Sequence, residues 1–318
     1  MRWLITGGGM LSADVLARIG LTGEPVLALG RSELDLRDGR AVRDFVGAYR
    51  AQVVINCAAW TAVDEAETHE EEALAVNGHA VRTLAESCAR SGARLLHLST
   101  DYVFDGTAGP YREDAPAAPL NAYGRTKLAG ERAALEHGQY VIRSAWLYGA
   151  GGPNFVRTMI ELARTRPTVD VVDDQRGQPT WTADLAGYLV GLARSDQPPG
   201  IYHGTSSGET TWHGLASEVF TLLGAGPERV RPVPTAAFPR PARRPASSVL
   251  AHTRREPIRH WRQALHAAWP VLTGRGLPGP GLDGRTLTGP GLDGPGLDGP
   301  GLDGRGRYGK AAGQCGVA

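Results

Sequence analysis

Along the chain, short unbroken apolar runs alternate with stretches in which apolar residues recur at helical spacing. The first run, residues 1–6, ends on Gly7-Gly8-Gly9, after which Leu11, Val15, Leu16 and Ile19 keep a helical period. The pattern repeats as a run over 25–30, a helical stretch over 41–49, a run over 53–56, a long helix over 70–91, a run over 94–99, a helix over about 122–137 and a run over 140–143. Runs this short and apolar throughout fit strands buried on both faces. Their alternation with helices predicts an α/β fold with a parallel, doubly wound sheet of the Rossmann type. The spacing then predicts a helix over 155–164, a strand over 169–172, helices over 183–194 and 212–223, a Pro- and Arg-rich stretch over 230–245 and a last helix over 258–269.

The organisation expected from this is a first domain over 1–150, a smaller substrate-side lobe over 151–272 and a tail over 273–318. The tail is a tandem repeat of Pro-Gly-Leu-Asp-Gly units that start at Pro280, Pro290, Pro295 and Pro300. A period of five excludes the collagen helix, and one leucine per unit gives too little to bury. The tail is therefore expected to be low in structure.

Of the 318 residues 42% are apolar and 21% charged, enough for a real core. Lys and Arg number 34 against 33 Asp and Glu, so net charge offers no attraction to nucleic acid or to an acidic membrane surface. The three cysteines, Cys57, Cys88 and Cys315, have no paired spacing, as expected in a reducing cytosol. No apolar run approaches the roughly 18 residues that span a bilayer, and the first run leads into a glycine turn rather than a signal-peptide cleavage site. A soluble cytoplasmic protein is expected. Among the basic residues only Lys127 and Lys310 are lysine, so a lysine retained in the folded part invites a chemical reason.

Three places carry candidate chemistry. Gly7-Gly8-Gly9-Met10-Leu11-Ser12 lies between a strand and a helix, where glycines let the backbone approach a pyrophosphate and the helix N-terminus meets its charge. Arg31, after the second strand, suits the 2′-phosphate of NADPH or is a solvated loop arginine. Tyr123 and Lys127, four residues apart on a helix, share one face, and a nearby ammonium is expected to lower the phenol pKa toward neutrality. Thr100 and Asp101 follow the strand over 94–99, placing them at the carboxyl edge of the sheet, where ligands bind in open α/β folds.

With Asn56-Cys-Ala-Ala-Trp-Thr-Ala-Val-Asp-Glu-Ala-Glu67, Ala75-Val-Asn77, Ser99-Thr-Asp-Tyr-Val-Phe-Asp-Gly106, Tyr123-Gly-Arg-Thr-Lys127, Arg143-Ser-Ala-Trp146, Asn154-Phe-Val-Arg157 and Asp174-Gln-Arg-Gly-Gln-Pro-Thr180 in order, the chain resembles the dTDP-4-dehydrorhamnose reductase family of extended short-chain dehydrogenase/reductases, including its antibiotic-pathway members. The resemblance covers residues 1 to about 270. It implies reduction of the C4 keto group of a dTDP-4-keto-6-deoxysugar with NADPH or NADH. On this basis Tyr123 protonates the C4 oxygen, Lys127 holds the nicotinamide ribose, and Thr100 bonds the same oxygen. Asp101 and Trp146 match positions that contact the sugar nucleotide, although Trp146 also reads as an ordinary core tryptophan. Gly7, Gly9, Met10, Leu11, Ala58, Ala59 and Trp60 fall beside the cofactor, and Asp35 and Leu36 near its adenine. Some members pair as homodimers around Mg²⁺ held by acidic residues; Asp14 is the one match here, so the metal stays open.

The glycine turn departs from the family pattern by being one residue shorter and ending in Ser12, which is expected to shift the amides that meet the pyrophosphate. A second class remains: the regulatory subunit of methionine adenosyltransferase is similar in sequence and fold, and would bind NADP without catalysis. Thr100, Tyr123 and Lys127 favour catalysis. A dehydratase of the superfamily is expected to carry an acidic pair after the threonine, whereas Asp101 is followed by Tyr102.

Overall fold

The computed structural model describes residues 1–274; the repeat expected to lack structure lies outside them. The first half runs β1 (Trp3–Thr6), α1 (Met10–Gly20), β2 (Val26–Leu29), α2 (Gly39–Tyr49), β3 (Val53–Asn56), α3 (Glu70–Leu74), a π-helical turn (Ala75–His79), α4 (Ala80–Ser91), β4 (Arg94–Thr100), α5 (Ala122–Glu136) and β5 (Tyr140–Ser144). The second half holds β6 (Leu147–Tyr148), α6 (Phe155–Thr165), β7 (Val169–Val172), β8 (Arg176–Gly177), β9 (Thr180–Trp181), α7 (Thr182–Ala193), β10 (Gly200–His203), β11 (Thr210–Thr211), α8 (Trp212–Leu223), β12 (Val230–Val233) and α9 (Trp261–Leu272).

The central sheet has six parallel strands in the order β10-β5-β4-β3-β1-β2. Strand order reverses between β1 and β3, which makes the crevice outside their carboxyl ends the place where a ligand binds in such sheets. Side chains alternate across the sheet. Trp3, Ile5, Val53 and Ile55 pack with Val15, Leu185 and Leu189 of α1 and α7 on one face, while Leu4, Val54 and Leu95 pack with Val42, Val46 and Leu84 of α2 and α4 on the other. A further core, from Tyr148, Val156, Met159, Val171, Phe220, Trp261 and Leu265, unites the second lobe.

Division at residue 150 therefore meets an exception. Residues 182–203 return to the first unit, α7 packing beneath α1 and β10 pairing with β5 as the edge strand. The expected single helix over 70–91 is interrupted by the π turn, where the Asn77 amide donates to the Trp60 carbonyl and to Thr126.

What fixes α5 is its close approach to the π-helical turn and to the turn that follows β4. A Cβ on Gly130 would lie 2.1 Å from the Asn77 carbonyl oxygen, and one on Gly124 would lie 2.2 Å from that of Tyr102, so neither position accepts a larger residue without displacing backbone. Beneath the helix, Arg143 of β5 makes a bidentate pair with Glu131 at 2.9 and 2.7 Å, and the Ser99 hydroxyl donates to the same carboxylate at 2.6 Å. Both charged side chains are buried, and the guanidinium also lies 4.9 Å from the Phe104 ring centre. Removing one partner strands the other charge, which costs about 3–5 kcal/mol. Arg143→Met is expected to lower the melting temperature by on the order of 10 °C; an unchanged melting curve would show that Glu131 does not depend on its partner.

Candidate active site

The carboxyl ends of β1, β3, β4 and β5 converge on one crevice. At β1, Gly7 has φ +101°, and a Cβ there would meet the Ala58 nitrogen at 2.7 Å, so this glycine is required where the first and third strands' loops touch. Gly8 and Gly9 face open space. Gly9 caps α1 with no side-chain acceptor, and the first turn of α1 carries no acidic residue, which leaves its amides available to an anion. The shorter turn thus keeps a tight bend and an open helix N-terminus. Ser12 is buried at the third position, small enough for helix to pack on strand.

The other positions expected around a cofactor fall unequally. Leu11 and Leu36 point into the cores on opposite faces, so only their backbones are left for a ligand. Met10 meets the second lobe: its sulfur is 3.4 Å from Asn154 Nδ2 and its Cγ lies against Gly152. Asp35 is gripped by Arg37, with Arg31 at 3.6 Å, and these two cations hold its carboxyl well below the usual range. The Arg31 side chain is 76% exposed beyond the end of β2, free to turn toward a ligand. Ala58, Ala59 and Trp60 form the loop after β3. Its course is set by Asn56, which accepts from the Ala58 amide at 3.1 Å, and by Asn77, which brackets Trp60 through the latter's amide and carbonyl.

At the end of β4 the Thr100 hydroxyl donates to Asp101 and accepts from the Tyr102 amide, both at 3.1 Å, and lies close enough to the Tyr123 phenol to influence its titration. Asn121 caps α5 by accepting from the Gly124 amide at 2.8 Å, which starts the helix so that Tyr123 falls in its first turn above Thr100. Tyr123 also makes an edge contact with Tyr102, ring centres 6.0 Å apart. The expected lowering of the phenol pKa is not what the structure holds. Burial raises Tyr123 to about 12, the Thr100 bond opposing and Asp101 reinforcing the rise. Lys127, one turn on, is buried and donates a hydrogen bond to the Leu98 carbonyl at 2.6 Å; it is not among the groups that shift Tyr123. Burial pulls Lys127 itself down to about 8, against the opposing charge of Glu131.

Asp101 is engaged on both oxygens, by Thr100 and by the Ser248 hydroxyl, and burial raises it to about 6. Ser248 belongs to a strap over residues 240–251 that crosses from the second lobe. The strap is fastened by Arg244 to Asp64 at 2.6 Å and by the Arg243 carbonyl to Asn121 at 2.9 Å. Sequence reasoning missed the strap, since its contacts span more than 100 residues.

Trp146, after β5, has φ +46°, a left-handed conformation that costs a non-glycine residue about 1–2 kcal/mol. It is held there by the Trp212 ring, 3.6 Å away and 7° from parallel, and by Gly177, where a Cβ would collide with the indole at 2.4 Å. The half-buried Trp146 therefore packs on the second lobe, two residues past the carboxyl end of β5. Asp174 accepts from Thr235 and Gln175 bridges Thr235 and Trp212, so both shape loops of that lobe. Asp14 is partly buried against Thr182, and among the described residues no group of three or more His, Cys, Asp or Glu side chains could hold a metal.

Comparison with known proteins fits this crevice. The model of the RmlD substrate binding domain family matches residues 1–272. A dTDP-4-dehydrorhamnose reductase of Streptomyces griseus is 55% identical over 288 residues, 86% of this chain and 95% of that protein. A dTDP-4-keto-6-deoxy-D-glucose reductase of Streptomyces niveus is 51% identical, over 85% of this chain and 97% of that one. Among solved structures, dTDP-4-dehydrorhamnose reductase of Bacillus anthracis in complex with NADP superposes with a TM-score of 0.81 at 33% identity, covering 84% of this chain and 98% of that one. On the strength of a model that spans both lobes and relatives this similar over nearly their whole length, the chain belongs to the RmlD substrate binding domain family, that of the dTDP-4-dehydrorhamnose reductases.

Proposed function

We propose that this protein is an NAD(P)H-dependent reductase of the C4 keto group of a dTDP-4-keto-6-deoxysugar. The observation that carries the reading is Thr100 beside the Tyr123 phenol at the carboxyl edge of β4, with Lys127 one turn behind on α5. The names of the relatives from Streptomyces griseus and Streptomyces niveus support the substrate class, and the NADP complex of the Bacillus anthracis protein supports the cofactor.

The Gly7 bend, the open amides of α1 and the loop 58–60 fit a dinucleotide, since the turn leaves a cradle that side chains do not fill. When bound there, the nicotinamide cofactor supplies a hydride to the sugar carbonyl. Tyr123, protonated across the neutral range because burial holds its pKa near 12, gives its proton to the C4 oxygen as negative charge develops on it. Thr100 donates a hydrogen bond to the same oxygen and orients the phenol. Lys127 presents N–H donors to the ribose side of the crevice, where they would hold the nicotinamide ribose beside Tyr123. Trp146 forms the wall toward the second lobe, against which the 6-deoxy carbon can pack. Catalysis is favoured over a binding-only role because the whole proton-donating set is assembled. In the absence of an acidic pair after Thr100 the reductase reading also stands ahead of a dehydratase.

The direct test is loss of nicotinamide absorbance when the purified protein meets NADPH or NADH and dTDP-4-keto-6-deoxy-L-lyxo-hexulose; no oxidation with either cofactor refutes the reading. Tyr123→Phe removes only the transferable proton, so turnover should fall about 10²- to 10⁴-fold while NADPH binding measured by fluorescence stays within about twofold. Full turnover in that variant would take Tyr123 out of the mechanism. Arg31→Asp places a carboxylate where a 2′-phosphate would lie and should move the ratio of kcat/KM values toward NADH at least about tenfold. A ratio that does not move would mean that Arg31 stays in solvent.

A further inference from the structure

A buried chain of hydrogen bonds runs from the glycine turn to the lysine of the site. The Thr6 hydroxyl donates to Asn56 Oδ1 at 2.8 Å, and the Ala58 amide donates to the same oxygen at 3.1 Å. A backbone N–H can only donate, so Asn56 must present its oxygen on that side and its NH₂ on the other. That NH₂ lies 3.1 Å from His97 Nδ1, which must then accept. A neutral imidazole accepting at Nδ1 carries its proton on Nε2. Nε2 is 3.5 Å from Lys127 Nζ, and among the described residues it has no other hydrogen-bonding neighbour. The histidine is fully buried in β4, and burial together with the lysine charge holds its pKa well below the ordinary value, so it stays neutral.

We propose that His97, fixed by Asn56 in the Nε2–H tautomer, is a positioning residue for Lys127: it sets a donor against the amine, steering the lysine's own N–H groups toward the Leu98 carbonyl and the crevice and favouring the uncharged amine. An N–H facing an ammonium repels it, whereas a neutral amine accepts that hydrogen bond through its lone pair. The remaining groups around the amine are Cys57 beyond β3 and Glu131 along α5, itself neutralised by Arg143 of β5. The Asn77 carbonyl of the π turn lies across Gly130 from His97. Lys127 is the only lysine of the described residues, and burial already brings it down to about 8.

The kinetic consequence rests on the reductase reading; the test does not. Because the chain has only Lys127 and Lys310, lysine labelled with ¹³C at Cε gives two signals, assigned with Lys310→Arg, and the pH midpoint of Lys127 is read directly in the full chain. Long-range ¹H–¹⁵N correlation on labelled histidine reports the tautomer of His97. In the unaltered protein the Nε2–H form is expected throughout pH 6–9. Asn56→Asp replaces the donor by an acceptor of the same shape. It should move the proton to Nδ1, turn Nε2 into an acceptor and raise the Lys127 midpoint by at least about one pH unit, with the alkaline limb of kcat/KM following. In a His97→Phe background the same change acts only through its added charge, and the rise should be smaller. A Nδ1–H or charged His97 in the unaltered protein, or equal rises in the two backgrounds, would overturn the proposal. Should the phenylalanine variant not fold, the tautomers before and after Asn56→Asp still decide it. A protein that fails to reduce the sugar but shows these titrations refutes the reductase reading and leaves this inference standing.

Discussion

Everything in the crevice depends on how closely α5 lies on the π-helical turn and on the turn that follows β4. Two glycines permit the approach, Gly124 against the Tyr102 carbonyl and Gly130 against that of Asn77, and a buried ion pair beneath the helix holds it there. Buried charges contribute little net stability, but they punish any arrangement that separates them. The Glu131 and Arg143 pair, with Ser99 on the same carboxylate, therefore acts as a register pin that links α5 to β4 and β5. With that register set, Tyr123 falls beside Thr100 and Lys127 beside the Leu98 carbonyl.

The same burial that fixes the geometry sets the protonation states. The buried phenol, raised to about 12, stays protonated across the neutral range and so keeps a transferable proton, while the amine, brought down to about 8, still carries its charge for the most part at neutral pH. Asp101, at about 6, is shielded by Thr100 and Ser248, so its carboxylate serves to join β4 to the strap from the second lobe. The site is thus built from groups whose ordinary pKa values have been displaced by desolvation more than by neighbouring charges.

The doubly wound sheet was legible because unbroken apolar runs and period-3.6 patterns are local, and β1 to β5 fall where the apolar runs lie. Tyr123 with Lys127 was legible because four residues on a helix is a fixed geometry. The inference that a lysine so placed must lower the phenol pKa failed, since spacing says nothing of where an ammonium points, and here the Leu98 carbonyl competes for it. Edge strand β10 was invisible, four half-apolar residues whose role appears only on pairing with β5. The pairing of Arg143 with Glu131 and the stacking of Trp146 on Trp212 left no local signal, because the pairing depends on how α5 lies over β5 and the stacking partners are remote in sequence. Asn56, Asn77 and His97 stood inside readable motifs, yet only three-dimensional placement shows that they hold loop 58–60 and the lysine.

The claim that the seating of α5 against the turn after β4 organises the chemistry is tested most directly at Gly124. A Cβ there must push the first turn of α5 off the Tyr102 carbonyl, moving Tyr123 away from Thr100 while leaving the cofactor turn at Gly7 untouched. In Gly124→Ala, assayed well below its melting temperature and shown by circular dichroism to be folded, the account predicts a drop in kcat of about 10²-fold or more with little change in NADPH affinity, as a misplacement on the order of 1 Å produces. A folded variant with the turnover of the parent would contradict it.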